Sequence, residues 1–167
     1  MSVRPMRPSD RAPAAIELYS GPRLELLPLF TLADDSLAQI NGYLESGEVL
    51  VARWAGQIIG HVQFIPAGFD WEIKSLAVIE EQRGQGMGTT LVRAALERAF
   101  STGAVRVLVA TASADIDNLR FYQRIGFRMD HVERDAFTID HGYPVLEVDG
   151  IPVRDRIWFS IAVSDRL

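Results

Sequence analysis

The chain has 167 residues, 48% hydrophobic and 23% charged, the size and balance of one globular domain, which excludes a disordered tail or a collagen-like repeat. With 17 basic and 22 acidic residues the formal charge is −5, too acidic for a broad nucleic-acid or anionic-membrane footprint. The absence of cysteine removes disulfides, thiolate nucleophiles and Cys-containing zinc sites, and acyl-cysteine chemistry with them.

Residues Met1 to Asp10 hold two arginines and two prolines but no apolar core of signal-peptide length, and no apolar run reaches the ~20 residues that span a bilayer. A cytoplasmic protein is expected, folded as a single domain over 1–167. Ser9 or Asp10 is placed to cap a short helix over Ala14, Ile16 and Leu18. A second helix is predicted from Asp34 to Ser46, where Leu37, Ile40, Tyr43 and Leu44 recur at helical spacing and Gly47 follows as a stop. Glu48 to Trp54 and Gln57 to Ile65 are rich in Val, Ile and aromatic residues about an Ala55-Gly56 pair, the pattern of a β-hairpin with a bulge at Gly60. Trp71 to Ile79 reads as a further strand.

Behind a glycine cluster, Leu91, Val92, Ala95, Leu96, Ala99 and Phe100 make one apolar helical stripe ended by Gly103. Ala104 to Ala110 reads as a strand buried on both faces. Ser113 or Asp115 then caps a helix that stops before Gly126, and Phe127 to Glu133 and Arg156 to Val163 complete the strands. Hairpin strands followed by a βαβ unit predict a mixed α/β sheet with helices on its faces. The Gly- and Pro-punctuated stretch from Arg134 to Arg154 is longer than most connections.

The cluster Arg83-Gly84-Gln85-Gly86-Met87-Gly88 lies between strand and helix, where backbone N–H groups can hold an anion at the helix's positive end. No lysine precedes Thr89-Thr90, so it is not a P-loop. The spacing G-x-G-x-G, with no carboxylate between Ser101 and Ala104, also departs from the dinucleotide fingerprint. What it does resemble is the (Arg/Gln)-x-x-Gly-x-(Gly/Ala) signature of the GNAT family of N-acetyltransferases, with Arg83, Gly86 and Gly88 in the fixed places. Asn118-Leu119-Arg120-Phe121-Tyr122 with Gly126-Phe127 is similar to that family's later helix and turn, and Glu72 to Val78 to its preceding strand. The match runs from about residue 48 to residue 133.

The resemblance implies a mixed, mostly antiparallel central sheet of six to seven strands flanked by helices, and an enzyme moving acetyl from acetyl-CoA to an amine, with no metal. Arg83, Gly84, Gln85, Gly86, Met87, Gly88 and Thr89 would hold the pyrophosphate of acetyl-CoA. Backbone N–H groups beside Leu76, Ala77 and Val78 would bond the thioester carbonyl, where charge develops. Asn118 would contact the pantetheine arm and the Tyr122 hydroxyl would protonate the departing thiolate. The spacing of four puts both on one helix face; packing of Tyr122 and capping by Asn118 stand as the alternatives.

An amine nucleophile must lose a proton, so a carboxylate or imidazole at the acceptor can serve as general base. Glu72 is the candidate, on a strand where Glu72, Lys74 and Leu76 alternate onto one face; an ion pair with neighbouring arginines is its other reading. His61 is the reserve; His131 and His141 lack any partner pattern. The stretch from Arg134 to Arg154 resembles a C-terminal extension of one bacterial subgroup and is expected to border the acceptor cleft or a homodimer contact. Its Asp140, Glu147 and Asp149 are placed to face a cationic acceptor. A non-catalytic acyl-CoA-binding or protein-interaction module is the alternative, with Tyr122 and Glu72 favouring the enzyme.

Overall fold

The computed structural model describes residues 13–165. In chain order it runs β1 (Ala15–Leu18), α1 (Leu27–Ala33), α2 (Leu37–Tyr43), β2 (Glu48–Trp54), β3 (Gln57–Ala67), β4 (Asp70–Val78), α3 (Met87–Ser101), β5 (Arg106–Ala112), α4 (Ile116–Ile125), β6 (Arg128–Glu133), β7 (Glu147–Val148), β8 (Ile151–Pro152) and β9 (Arg156–Ala162). Seven strands form one sheet in the order β1-β2-β3-β4-β5-β9-β6, and β7 pairs with β8 in a separate ribbon. Every pairing is antiparallel except β4 with β5, joined by the α3 crossover. The expected mixed, mostly antiparallel α/β sheet is therefore present.

In β2 and β3 both faces of the sheet are covered, because these strands are apolar on both sides. On one face Leu50 and Ala52 of β2, with Val62 and Phe64 of β3, pack against Leu91, Val92, Ala95 and Leu96 of α3. On the other, Val49 and Val51 meet Leu29 and Phe30 of α1 and Ile40 of α2. The hairpin turn has positive φ at both central residues, 49° at Ala55 and 80° at Gly56, the twist that a two-residue connection requires. The ladder slips between Ala52 and Arg53, which makes Ile59, beside Gly60, the extra residue.

Two expectations are corrected in the first half. The helix over Ala14, Ile16 and Leu18 is instead strand β1, because residues 15–18 pair with Leu50 to Arg53 and supply β2 with its outer neighbour. Its proposed caps, Ser9 and Asp10, lie outside the described residues. The helix from Asp34 to Ser46 is shorter, Leu37–Tyr43, with Ser36 accepting the N–H of Gln39 as its cap and Asp34 and Asp35 left in the preceding loop. Helix α1 was not anticipated at all. Further on, β5 is buried on one face only, through Val107 and Val109.

One irregularity in β4 positions everything that follows. Against β3, Ser75 pairs with Gln63 and Ile73 with Phe64, so Lys74 is a surplus residue, a β-bulge. The parallel ladder with β5 holds for Trp71, Glu72 and Ile73 and ends there. A bulge bends its strand and raises the twist, so beyond Ile73 strand β4 leaves β5 while remaining paired with β3.

Candidate active site

The parting of β4 from β5 opens a wedge of about 220 Å³ bordered by Glu72, Lys74, Ser75 and Leu76 on one side and Ala110 to Ala112 on the other. Strands β4 and β5 run in parallel into it, and α3 and α4 begin beyond their C-terminal ends, the position at which open α/β sheets receive ligands.

The glycine cluster sits at the mouth. Gly84 and Gly86 have φ of 72° and 82°, left-handed values that favour glycine, and a Cβ at either would meet nothing within 4 Å. Gly86 is also the N-cap of α3, whose first turn carries no acidic residue and no capping side chain, so its leading N–H groups are unclaimed. Gly88 has a different reason: a Cβ there would lie 3.3 Å from the Phe121 ring, so this glycine lets α4 approach α3. Gln85 is exposed, and Met87 and Thr89 are half-buried in the helix's first turn. Arg83 donates its Nε–H to the carbonyl of Val78 at 2.9 Å.

That carbonyl reveals how β4 points its backbone. Ile79 donates to Ile59 of β3, so by the alternation of an antiparallel ladder Ala77 and Ser75 also bond β3, while the N–H groups of Leu76 and Val78 point away from β3, and Leu76 borders the wedge. Of the three residues expected to offer an amide, Ala77 is thereby corrected: its N–H belongs to the ladder.

Asn118 and Tyr122 both line the wedge from α4. The Asn118 amide donates to Asp115 at 2.8 Å and to Thr111 at 3.3 Å, leaving its carbonyl oxygen as the group it can offer. The Tyr122 ring is packed edge-on against Phe121 and Phe127, with centroids at 5.0 and 5.7 Å. Its hydroxyl has no protein partner among the described residues, and burial, aided by the charge of Asp115, pushes its pKa up.

Glu72 lies in the wedge with its carboxylate 3.4 Å from Lys74 Nζ, an ion pair with the lysine and not with an arginine. Lys74 in turn sits 5.4 Å over the ring of Tyr43. The predicted alternation of Glu72, Lys74 and Leu76 fails at the bulge: Leu76 turns to the α3 face and packs on that core. His61 is corrected as well. It is fully buried beneath Phe30, with ring centroids at 4.4 Å, and its Nε2 is 2.8 Å from Ser75 Oγ. Burial lowers its pKa to about 3, and its ring does not border the wedge.

The stretch from Arg134 to Arg154 does border the wedge, through Phe137, Tyr143, Pro144, Leu146, Val148 and Val153. Its three acids do not. Asp140, Glu147 and Asp149 are exposed, and Asp149 (φ 51°) with Gly150 (φ 78°) forms the tight turn between β7 and β8. Besides Glu72 and Asp115, the acids that line the wedge are Asp34 and Asp35, from the loop between α1 and α2, joined by Arg156 and Trp158 of β9. Alternation along β9 was the available signal for the last two. Asp34 accepts the Tyr43 hydroxyl at 3.0 Å, whereas Asp35 has no hydrogen bond or ion pair among the described residues and acts on Tyr143 only through its charge.

The model of the Acetyltransferase (GNAT) family matches residues 14–127. The chain is 34% identical to YvbK of Bacillus subtilis, named an uncharacterized N-acetyltransferase, over 144 residues covering 85% of this chain and 92% of that protein. Among solved structures it is similar to an IAA acetyltransferase from Bacillus cereus, with TM-score 0.81, 31% identity, and 90% of this chain and 99% of that one covered. A Bacillus subtilis acetyltransferase in complex with CoA superposes with TM-score 0.82 at 30% identity, over 90% of this chain and 99% of that one. One from Elizabethkingia anophelis with acetyl-CoA bound gives 0.84 at 28%, over 90% and 98%.

Proposed function

The chain belongs to the acetyltransferase (GNAT) family, and from that premise we propose that it transfers acetyl from acetyl-CoA to a primary amine of a small molecule or peptide by direct attack in a ternary complex. The observation that carries this reading is the meeting, in one wedge, of Leu76, whose amide points away from β3, a tyrosine that burial keeps protonated and the Glu72 carboxylate. The donor end fits acetyl-CoA: Gly84 and Gly86 leave open space, and unclaimed helix N–H groups suit a pyrophosphate. When bound, acetyl-CoA supplies the acetyl group and a thiolate leaving group.

This chain's residues then divide the work. The loop from Arg83 to Thr89 binds, and Asn118 offers its Oδ1 to an amide N–H of the pantetheine arm. The N–H groups of Leu76 and Val78 oppose the charge that grows on the carbonyl oxygen. Glu72 takes the proton of the attacking amine, directly or through water, and Tyr122 gives its proton to the departing sulfur. Asp34 and Asp35 face the side from which a cationic amine would enter.

The test is acetyl-CoA binding by thermal shift together with coenzyme A release against polyamines, aminoglycosides and peptides with a free N-terminus. Release that depends on one amine class supports the enzyme. Binding without release on any amine would leave an acyl-CoA-binding module instead.

A further inference from the structure

We propose that two copies of this chain associate about a two-fold axis by antiparallel pairing of their β6 strands, which extends the sheet across the dimer. Strand β6 ends the sheet, bonded to β9 on one side only, and all six of its residues are exposed. It contains neither Pro nor Lys, two residues that commonly protect an open edge; its other charges and its bulge fall in an arrangement that a second copy can match. Its apolar side chains Met129 and Val132 are exposed, at 54% and 56%.

The occupant is identified by the order of residues along the strand. Read from either end, Arg128-Met129-Asp130-His131-Val132-Glu133 is self-complementary: antiparallel alignment on a second copy sets Arg128 opposite Glu133, Met129 opposite Val132 and Asp130 opposite His131. Each charge meets its opposite and each apolar residue an apolar one, the pairs that stabilise adjacent strands.

A two-fold axis normal to a sheet keeps each side chain on its own face, so facing residues must share a face. In a regular strand, residues 128 and 133 fall on opposite faces, and the match would fail. Here the β6–β9 ladder skips Asp130: Met129 pairs with Phe159 and His131 with Trp158. That bulge puts Arg128 on the face of Ser160, and Glu133 on the same face beside Arg156, while Met129 and Val132 share the other. The bulge thus lies on the axis, where the Asp130–His131 contact of 2.9 Å would meet its own copy. The opposite edge of the sheet, β1, has only four residues and no such symmetry.

Sedimentation of the full chain over a wide concentration series is expected to give a species of twice 18.6 kDa. Arg128→Glu and Met129→Asp should each reduce it to the single-chain mass, with circular dichroism and thermal unfolding of a folded protein retained. Mixing the Arg128→Glu chain with an Glu133→Arg chain should restore the doubled mass, because each copy then carries the charge the other has lost. Glu133 also accepts from Arg156 and Trp158, so if Glu133→Arg does not fold, Met129→Lys mixed with Val132→Glu makes the same test. A single-chain mass at every concentration, a dimer that survives both disruptive substitutions, or a folded mixed pair that stays apart each overturns the proposal.

Discussion

Arg83 and Val78 are joined by a 2.9 Å hydrogen bond from the guanidinium Nε to the strand's last carbonyl, which fastens the glycine loop to the end of β4. The arginine thus sets where the loop stands relative to the wedge. Arg83→Met keeps the aliphatic stem and removes the donor. Loss of one such bond is worth roughly 1 kcal/mol, so KM for acetyl-CoA should rise about 5- to 10-fold while KM for the amine stays put. Initial-rate kinetics with each substrate varied in turn read this out.

Gly86→Glu sets strain and charge against the same ligand. The φ of 82° is costly for any residue with a Cβ, even though the space around it is open. The carboxylate then stands at the helix end where phosphate is expected. The thermal stabilisation given by coenzyme A should disappear, and a shift equal to the parent's would remove the loop from the binding site.

Tyr122→Phe keeps the ring that Phe121 and Phe127 hold and deletes only the hydroxyl. Coenzyme A should bind as before, and turnover should fall by about 10²-fold or more, the usual size for a positioned acid. Single-turnover measurements separate this chemical step from product release.

For acceptor choice the test moves from the long loop to the loop between α1 and α2. Asp35→Asn removes an exposed wedge carboxylate that holds no other residue, and should raise KM for a cationic amine about 3- to 10-fold, with KM for acetyl-CoA unchanged. Exchanging Asp140, Glu147 and Asp149 for their amides should leave both constants near the parent's, since none of the three reaches the wedge.

His61 gives the fold an acid limit. Its pKa falls from 6.5 to about 3 on burial, so below pH 6.5 the unfolded chain binds a proton that the folded one refuses. Its contribution is complete above pH 6.5 and drains as pH falls toward 3, at up to about 1.4 kcal/mol per pH unit. Denaturant unfolding from pH 7 to pH 4 should show this loss, and His61→Asn should flatten the difference between those limits.

The donor half of the site was legible because it is built from local requirements. Backbone that turns left-handed at Gly84 and Gly86 calls for glycine at fixed spacing, and a spacing of four sets Asn118 and Tyr122 together on α4. The acceptor half is assembled by packing that no short window contains. Asp34 and Asp35 reach β4 because α1 lays Phe30 over His61, and α1 itself was hidden by Pro28, which sits harmlessly in the first helical turn. Four residues at β1 fit a helical turn as well as a strand until β2 needs a neighbour. Acidity made Asp149 look like a recognition residue, where its φ shows a turn.

The surplus residue in β4 turns the wedge into a matter of arithmetic. β4 spends one residue more than β3 over the same distance, and the sheet unzips past Ile73. Point substitutions at Lys74 therefore leave the opening in place, whereas deleting that position would bring β4 back into step with β3 and let it close on β5. Across relatives, the opening should tolerate any amino acid here but no change in the count.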